Sequence, residues 1–100
     1  MSSANKAGNT ATKVKKELVV MNKLGIHARP AALFVKTANL FDCEVFVEKD
    51  GETVNGKSIM GLMMLAAGPG CKIRVQADGA DAVRAVNEIE ALLQRKFDEE

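Results

Sequence analysis

The sequence is poor in aromatic residues and cysteine: it has four phenylalanines, two cysteines and neither tryptophan nor tyrosine. Its core must therefore be mainly aliphatic, and two cysteines are too few for a disulfide framework. Cys43 and Cys71 also lack the CxxC or Cys/His spacing of a zinc site. We therefore expect two small, buried or half-buried cysteines and a protein that needs no metal or cofactor.

A long apolar segment and a surplus of one sign of charge are also absent. No apolar run approaches the roughly 18 residues needed to span a membrane, and the polar N-terminus is unlike a secretory signal. We therefore expect a cytoplasmic protein with no membrane insertion. Lys plus Arg number 14 against 13 for Asp plus Glu, a net charge of +1. This balance argues against a nucleic-acid binder that relies on a basic surplus.

The chain of 100 residues has room for one domain, since a domain usually takes about 100 to 200 residues. Residues 1–12 have no large aliphatic side chain after Met1, so burial cannot offset the entropy lost on ordering them. We predict a flexible tail over residues 1–12 and a single domain over residues 13–100 that acts as a monomer.

Apolar periodicity divides this domain into four strands and three helices. Asp50-Gly51 is typical of a hairpin turn, Ser58 of a helix N-cap and Pro30 of a first helical turn. The predicted elements are a strand from Val14 that ends near Asn22, a helix over 30–40, a hairpin over 43–56, a helix from Ser58 to about Leu65 and a strand over 71–77. A last helix follows, and one of its faces is apolar, with Val83, Val86, Ile89, Leu93 and Phe97. This order predicts an α+β domain with helices on one face of a sheet.

The single histidine, His27, lies in the loop LGIHARPAA immediately before the first helix. A lone histidine in a loop is most often a surface or capping residue. However, a helix start offers unpaired N–H groups to a phosphate, and the guanidinium of Arg29 can bind the same group through forked hydrogen bonds. The setting therefore favours a histidine whose ring nitrogen accepts a phosphoryl group as a nucleophile.

The machinery of a phosphoryl-transfer or hydrolytic enzyme is missing. The segment Asn55-Gly56-Lys57-Ser58 lacks the upstream glycine of a P-loop, and no second histidine can pair with Ser58 or a cysteine. We therefore expect a carrier for chemistry performed by other proteins, not a stand-alone enzyme.

The helix after Ser58 is apolar almost all round. A stripe of Ile59, Leu62, Met63 and Ala66 would satisfy the core, which leaves Met60 and Met64 on another side. Two interpretations stay open: full burial, or an exposed methionine-rich docking patch. Ser58 has an obvious role as N-cap. Alternatively it is a phosphorylation site, where a charge of about −1.5 to −2 beside the patch would weaken partner binding.

Two motifs, LGIHARPAA at 24–32 and NGKSIMGLMMLAAGPG at 55–70, together resemble the HPr family of phosphocarriers. This family serves the phosphoenolpyruvate-dependent sugar phosphotransferase system, and the resemblance covers about residues 13–97. It implies an open-faced β-sandwich in which a four-stranded antiparallel sheet, in the order 1-4-2-3, is covered on one face by three helices.

The resemblance also implies roles for individual residues. His27 matches the histidine that phospho-Enzyme I phosphorylates on Nδ1 and that passes the group to EIIA domains of sugar permeases. Arg29 matches the arginine that stabilises the phosphate, and Ser58 matches the regulatory serine of an HPr kinase/phosphorylase. The docking surface for Enzyme I, EIIA and a transcriptional regulator corresponds to Ile59, Met60 and Met63.

Two other functions stay open on the sequence. One is a nitrogen-type or regulatory paralogue of the same family, and the other is an interaction module that never transfers phosphate. Transfer from His27 to an EIIA protein separates the module from the carrier.

Overall fold

The computed structural model describes residues 12–99. The strands are β1 (Lys13–Val19), β2 (Glu44–Lys49), β3 (Glu52–Asn55) and β4 (Lys72–Asp78), and the helices are α1 (Ala28–Ala38), α2 (Ile59–Met64) and α3 (Ala82–Gln94), followed by a 3-10 turn at Lys96–Asp98. The predicted order of strands and helices is confirmed. The tail predicted over residues 1–12 lies, up to residue 11, outside the described residues and stays a prediction.

The four strands form one antiparallel sheet in the order β1-β4-β2-β3. The central strand β4 pairs with both β1 and β2, so that Asp78 lies opposite Lys13 on one side and Glu44 on the other. The hairpin of β2 and β3 turns at Asp50 and Gly51, which have φ values of 52° and 84°. The α+β sandwich with sheet order 1-4-2-3 is therefore confirmed.

The core lies between one face of the sheet and the helices. Alternate residues of β4 point into it, with Ile73 and Val75 at most 1% exposed. Phe34 of α1 is fully buried against this layer, and the rest of the core is mainly aliphatic, as predicted. No helix within residues 12–99 is long and apolar enough to cross a membrane.

Both cysteines are half-buried and free, as predicted. Burial is the main cause that raises the pKa of the Cys43 thiol, with the carboxylates of Asp81, Asp42 and Asp78 adding to it against Lys57. The thiolate is therefore disfavoured, which argues against a reactive cysteine.

Three details of the predicted elements are wrong. β1 ends at Val19 instead of near Asn22, because beyond it the backbone follows irregular hydrogen bonds, from Val20 N to Cys71 O and from Gly70 N to Val20 O. Val83 is 52% exposed, since the buried stripe of α3 runs through Ala82, Ala85, Val86, Ile89, Leu92 and Leu93. Phe97 is buried but lies in the 3-10 turn, beyond the end of α3.

Candidate functional site

His27 is the residue immediately before α1 and has an extended backbone, with φ −90° and ψ −165°. Its side chain makes no capping hydrogen bond and is 39% exposed. The first helical hydrogen bond runs from Ala31 N to His27 O. The N–H groups of Ala28 and Arg29 therefore have no partner within the helix, and Pro30 has no N–H. The imidazole thus lies at a helix start that can accept an anion.

The loop before His27 is hydrogen-bonded to and closely packed against the segment that follows α2. Ile26 N donates to Ala67 O at 2.9 Å, and Ile26 is 5% exposed. Gly25 has a φ of +72°, and a Cβ built on it would lie 2.4 Å from Ala67 O. A glycine is required here both for the left-handed backbone and for the close approach. The position of His27 is therefore coupled to the end of α2.

A carboxylate from the far end of the chain meets the His27 ring. Glu99 Oε2 lies 3.0 Å from His27 Nε2, and the Glu99 side chain is 15% exposed. Asn22 is fully buried, and its Nδ2 donates to Gly25 O and to Glu99 Oε1, each at 2.8 Å. The buried amide of Asn22 thus joins the loop of His27 to the side-chain carboxylate of Glu99.

No pattern in the sequence pointed to Glu99 or Asn22 as residues of this site. Glu99 reaches His27 because the chain turns sharply after α3 through Lys96, Phe97 and Asp98, whose φ values are 57°, 56° and 59°. Phe97 is 1% exposed and anchors this turn in the core. Non-glycine residues rarely adopt this conformation, so local propensity does not predict it. The usable signal was a large apolar residue, Phe97, isolated just before an acidic end.

Arg29 is exposed and lies in the first turn of α1, because the helix begins at Ala28, two residues before the start predicted from Pro30. Among residues 12–99 it forms no ion pair, whereas Arg74, Arg84 and Arg95 each pair with a carboxylate. The Arg29 guanidinium is therefore available to bind an anion. It lies two residues after His27, at the N-terminal end of α1, where the helix dipole favours negative charge.

Ser58 begins α2 as predicted, since its Oγ accepts a hydrogen bond from Gly61 N at 3.0 Å. The side chain is half-buried. Ser58 therefore performs the N-cap role.

Four side chains of α2 form an exposed apolar surface, which we call the methionine patch. Its members are 43%, 70%, 45% and 68% exposed, and they are Ile59, Met60, Met63 and Met64. Full burial of the helix is therefore wrong, and so is the stripe in which Ile59 and Met63 faced the core. Only Leu62 in the helix is buried, because the short α2 packs on α1 and β3 along one side.

We expect Asn22→Ala to destabilise the domain by about 1–3 kcal/mol, because Gly25 O and the Glu99 carboxylate lose a buried donor. Urea unfolding monitored by far-UV circular dichroism measures the change. Asn87→Ala, at an exposed position of α3, is the matched control and should shift stability by less than about 0.5 kcal/mol. Equal stabilities of the two variants would show that the Asn22 bridge contributes nothing.

Comparison with known proteins gives consistent matches over most of the chain. Residues 14–95 match the family model described as the PTS HPr component phosphorylation site. The phosphocarrier protein HPr of Treponema pallidum is 47% identical over 87 residues, which cover 87% of this chain and 99% of that protein. The crystal structure of HPr-C-His from Thermoanaerobacter tengcongensis has a TM-score of 0.84 and 44% identity, covering 87% of this chain and 98% of that one.

A second solved structure is similar to this chain and comes from a protein of catabolite repression. It is Crh, the Bacillus subtilis catabolite repression protein, with a TM-score of 0.68 and 47% identity, covering 83% of this chain and 95% of that one. The Crh crystal structure is a dimer with a swapped domain. The monomeric state expected from the sequence therefore stays a prediction.

Proposed function

Because the chain belongs to the HPr family of the phosphotransferase system, we propose that it carries a phosphoryl group on His27 in the cytoplasm. It accepts the group from phospho-Enzyme I, which takes it from phosphoenolpyruvate, and passes it to EIIA domains of sugar permeases. The chain is a carrier, and the proposed transfer needs no metal or cofactor.

The observation that carries this proposal is the half-exposed His27 ring at the start of α1, with Nε2 beside the Glu99 carboxylate. Within residues 12–99 no hydrogen bond involves Nδ1, so this nitrogen remains as the nucleophile. Nδ1 attacks the phosphorus of the donor phosphohistidine. The new N–P bond forms as the N–P bond of the donor breaks, and the electron pair of the broken bond returns to the donor ring.

Nearby groups support the transferred phosphate and the docking of partners. The phosphate would accept hydrogen bonds from the N–H groups of Ala28 and Arg29 and from the Arg29 guanidinium. Partners would dock on the methionine patch, whose flexible thioethers suit several different surfaces. Since Ile26 and Ala67 hydrogen-bond to each other, a partner on this patch sits beside the loop that carries His27.

Incubation of the full chain with Enzyme I and ³²P-phosphoenolpyruvate tests the proposal. We expect about one phosphate per chain, labile to acid and stable to base, as a phosphohistidine is. His27 is the only histidine, so the label should map to the peptide that contains it. A chain that stays unlabelled, or a label stable to acid, would overturn the assignment.

We also propose that phosphorylation of Ser58 regulates docking, with an HPr kinase/phosphorylase as the modifying enzyme and a transcriptional regulator as a partner of the modified form. Ser58 is next to Ile59 and two residues from Met60, at the start of the helix that carries the methionine patch. A phosphate would be tolerated at this helix start, yet it would put negative charge beside an apolar contact surface.

A charged substitution tests this regulation without the kinase. Serine, aspartate and asparagine are about equally good N-caps, so Ser58→Asp and Ser58→Asn should both keep the fold. We expect the aspartate variant to raise the KM of Enzyme I for the chain severalfold with little change in kcat, and the asparagine variant to behave as wild type. If the two variants have the same KM, charge at Ser58 does not control docking.

The likeness to Crh favours a second candidate, a regulatory paralogue that acts mainly through Ser58. A nitrogen-type relay is the third candidate function. Offering the labelled chain to a sugar-specific and a nitrogen-type EIIA side by side separates the three. Transfer to the sugar-specific protein supports the first candidate, and transfer only to the nitrogen-type protein supports the relay. No onward transfer overturns both and leaves the Ser58 regulator and the interaction module.

A further inference from the structure

The contact between Glu99 and His27 determines which ring nitrogen can react. An ionised carboxylate only accepts hydrogen bonds, so the ring nitrogen 3.0 Å from Glu99 Oε2 must carry the proton. In the neutral imidazole the lone pair then resides on Nδ1. We infer that Glu99 is a positioning residue for phosphoryl transfer, an inference that rests on the function proposed above.

The contact is held by two independent structural features. Asn22, fully buried, donates to the second oxygen of the same carboxylate, and its own Oδ1 has no partner within residues 12–99. The turn that brings Glu99 to the ring has three successive left-handed residues around the buried Phe97. Such a backbone is unfavourable for non-glycine residues and persists only where its surroundings fix it.

The pair also has a chemical consequence during transfer. When Nδ1 attacks phosphorus, the imidazole ring becomes positively charged while the proton stays on Nε2. The carboxylate of Glu99 then faces a growing positive charge, and its hydrogen bond strengthens as the N–P bond forms. In the onward step the same contact keeps the ring protonated at Nε2, so that Nδ1 leaves as a neutral imidazole when the acceptor takes the phosphoryl group.

Glu99→Gln tests the inference, because it removes the charge and keeps the side-chain shape. We expect kcat for phosphorylation by phospho-Enzyme I to fall roughly tenfold to a hundredfold, the range found when a carboxylate that orients a metal-bound histidine is lost. The KM for the chain should change less than about twofold, because docking uses the methionine patch. Glu88→Gln removes the same charge from an exposed position of α3 and should leave both constants unchanged.

The ¹⁵N spectrum of the His27 ring in the unphosphorylated chain is the second measurement. The wild type and Glu88→Gln should show the proton on Nε2, exchanging slowly with water, and Glu99→Gln should show faster exchange. A proton on Nδ1 in the wild type, or an unchanged kcat in Glu99→Gln, would overturn the inference.

The failure of the inference and that of the proposed function are distinguishable. A wild-type chain that accepts no phosphoryl group overturns the proposed function, and the ring spectra then still decide whether Glu99 holds the Nε2 proton. A wild type that is labelled normally, together with a Glu99→Gln variant of equal kcat, overturns the inference alone.

Discussion

Replacing His27 with alanine should abolish acceptance of the phosphoryl group from phospho-Enzyme I, with a loss of at least about a thousandfold in transfer rate. The chain has no second histidine to substitute as acceptor. The fold should survive, because the His27 side chain makes no capping bond and is 39% exposed. Acid-labile ³²P incorporation from phosphoenolpyruvate measures the effect, and thermal unfolding verifies the fold.

Lys36→Ala provides a matched control for this experiment. Lys36 is exposed in the last turn of the same helix, so its replacement alters α1 without reaching the end that carries His27. This variant should be labelled as fully as the wild type. Undiminished label on His27→Ala would mean that another residue is phosphorylated, and the carrier assignment would fail with it.

The second large effect concerns stability and is expected for Gly25→Ala. An alanine at φ +72° costs about 1–2 kcal/mol. Its Cβ would also meet Ala67 O at 2.4 Å and Gly68 Cα at 2.8 Å. Relief of this clash must move the His27 loop away and stretch the hydrogen bond from Ile26 N to Ala67 O. We therefore expect a loss of about 3 kcal/mol or more in unfolding free energy, measured by urea denaturation.

Gly70→Ala separates the steric part of that loss from the conformational part. Gly70 has a φ of +82°, and nothing lies within 4 Å of the position of its Cβ. Its replacement should therefore cost only the left-handed penalty of about 1–2 kcal/mol. Only Gly25→Ala should also slow the labelling of His27. If both variants lose the same stability, the packing of Gly25 against the segment after α2 does not matter.

Much of the fold could be predicted because its signals are local. The turn at Asp50-Gly51 and the cap at Ser58 depend on residues a few positions apart, and both are confirmed. The order of the strands in the sheet has no such local signal. Periodicity identifies a strand but not its neighbour, so the order 1-4-2-3 came from the family resemblance, which the comparisons confirm.

The candidate site was predictable only in its local part. His27 and Arg29 are close in sequence, and their placement at the start of α1 was correct. Glu99 lies 72 positions from His27, and Asn22 in a loop has no periodic pattern that predicts burial. Their meeting depends on the unusual turn after α3, which local propensity disfavours.

The pairing of β1 with β4 governs how the domain can fold. Lys13 at the start of β1 aligns with Asp78 at the end of β4, so the 78 residues up to Asp78 must be made before the full pairing of these strands can form. Until β4 has been made, the apolar side chains of β1, such as Leu18, lack their strand partner, and such exposed apolar surface is prone to aggregation. Closing the long loop between β1 and β4 costs conformational entropy before any contact between the two strands stabilises the chain. The folding rate should therefore be set by this late encounter of β1 and β4, and not by formation of the helices.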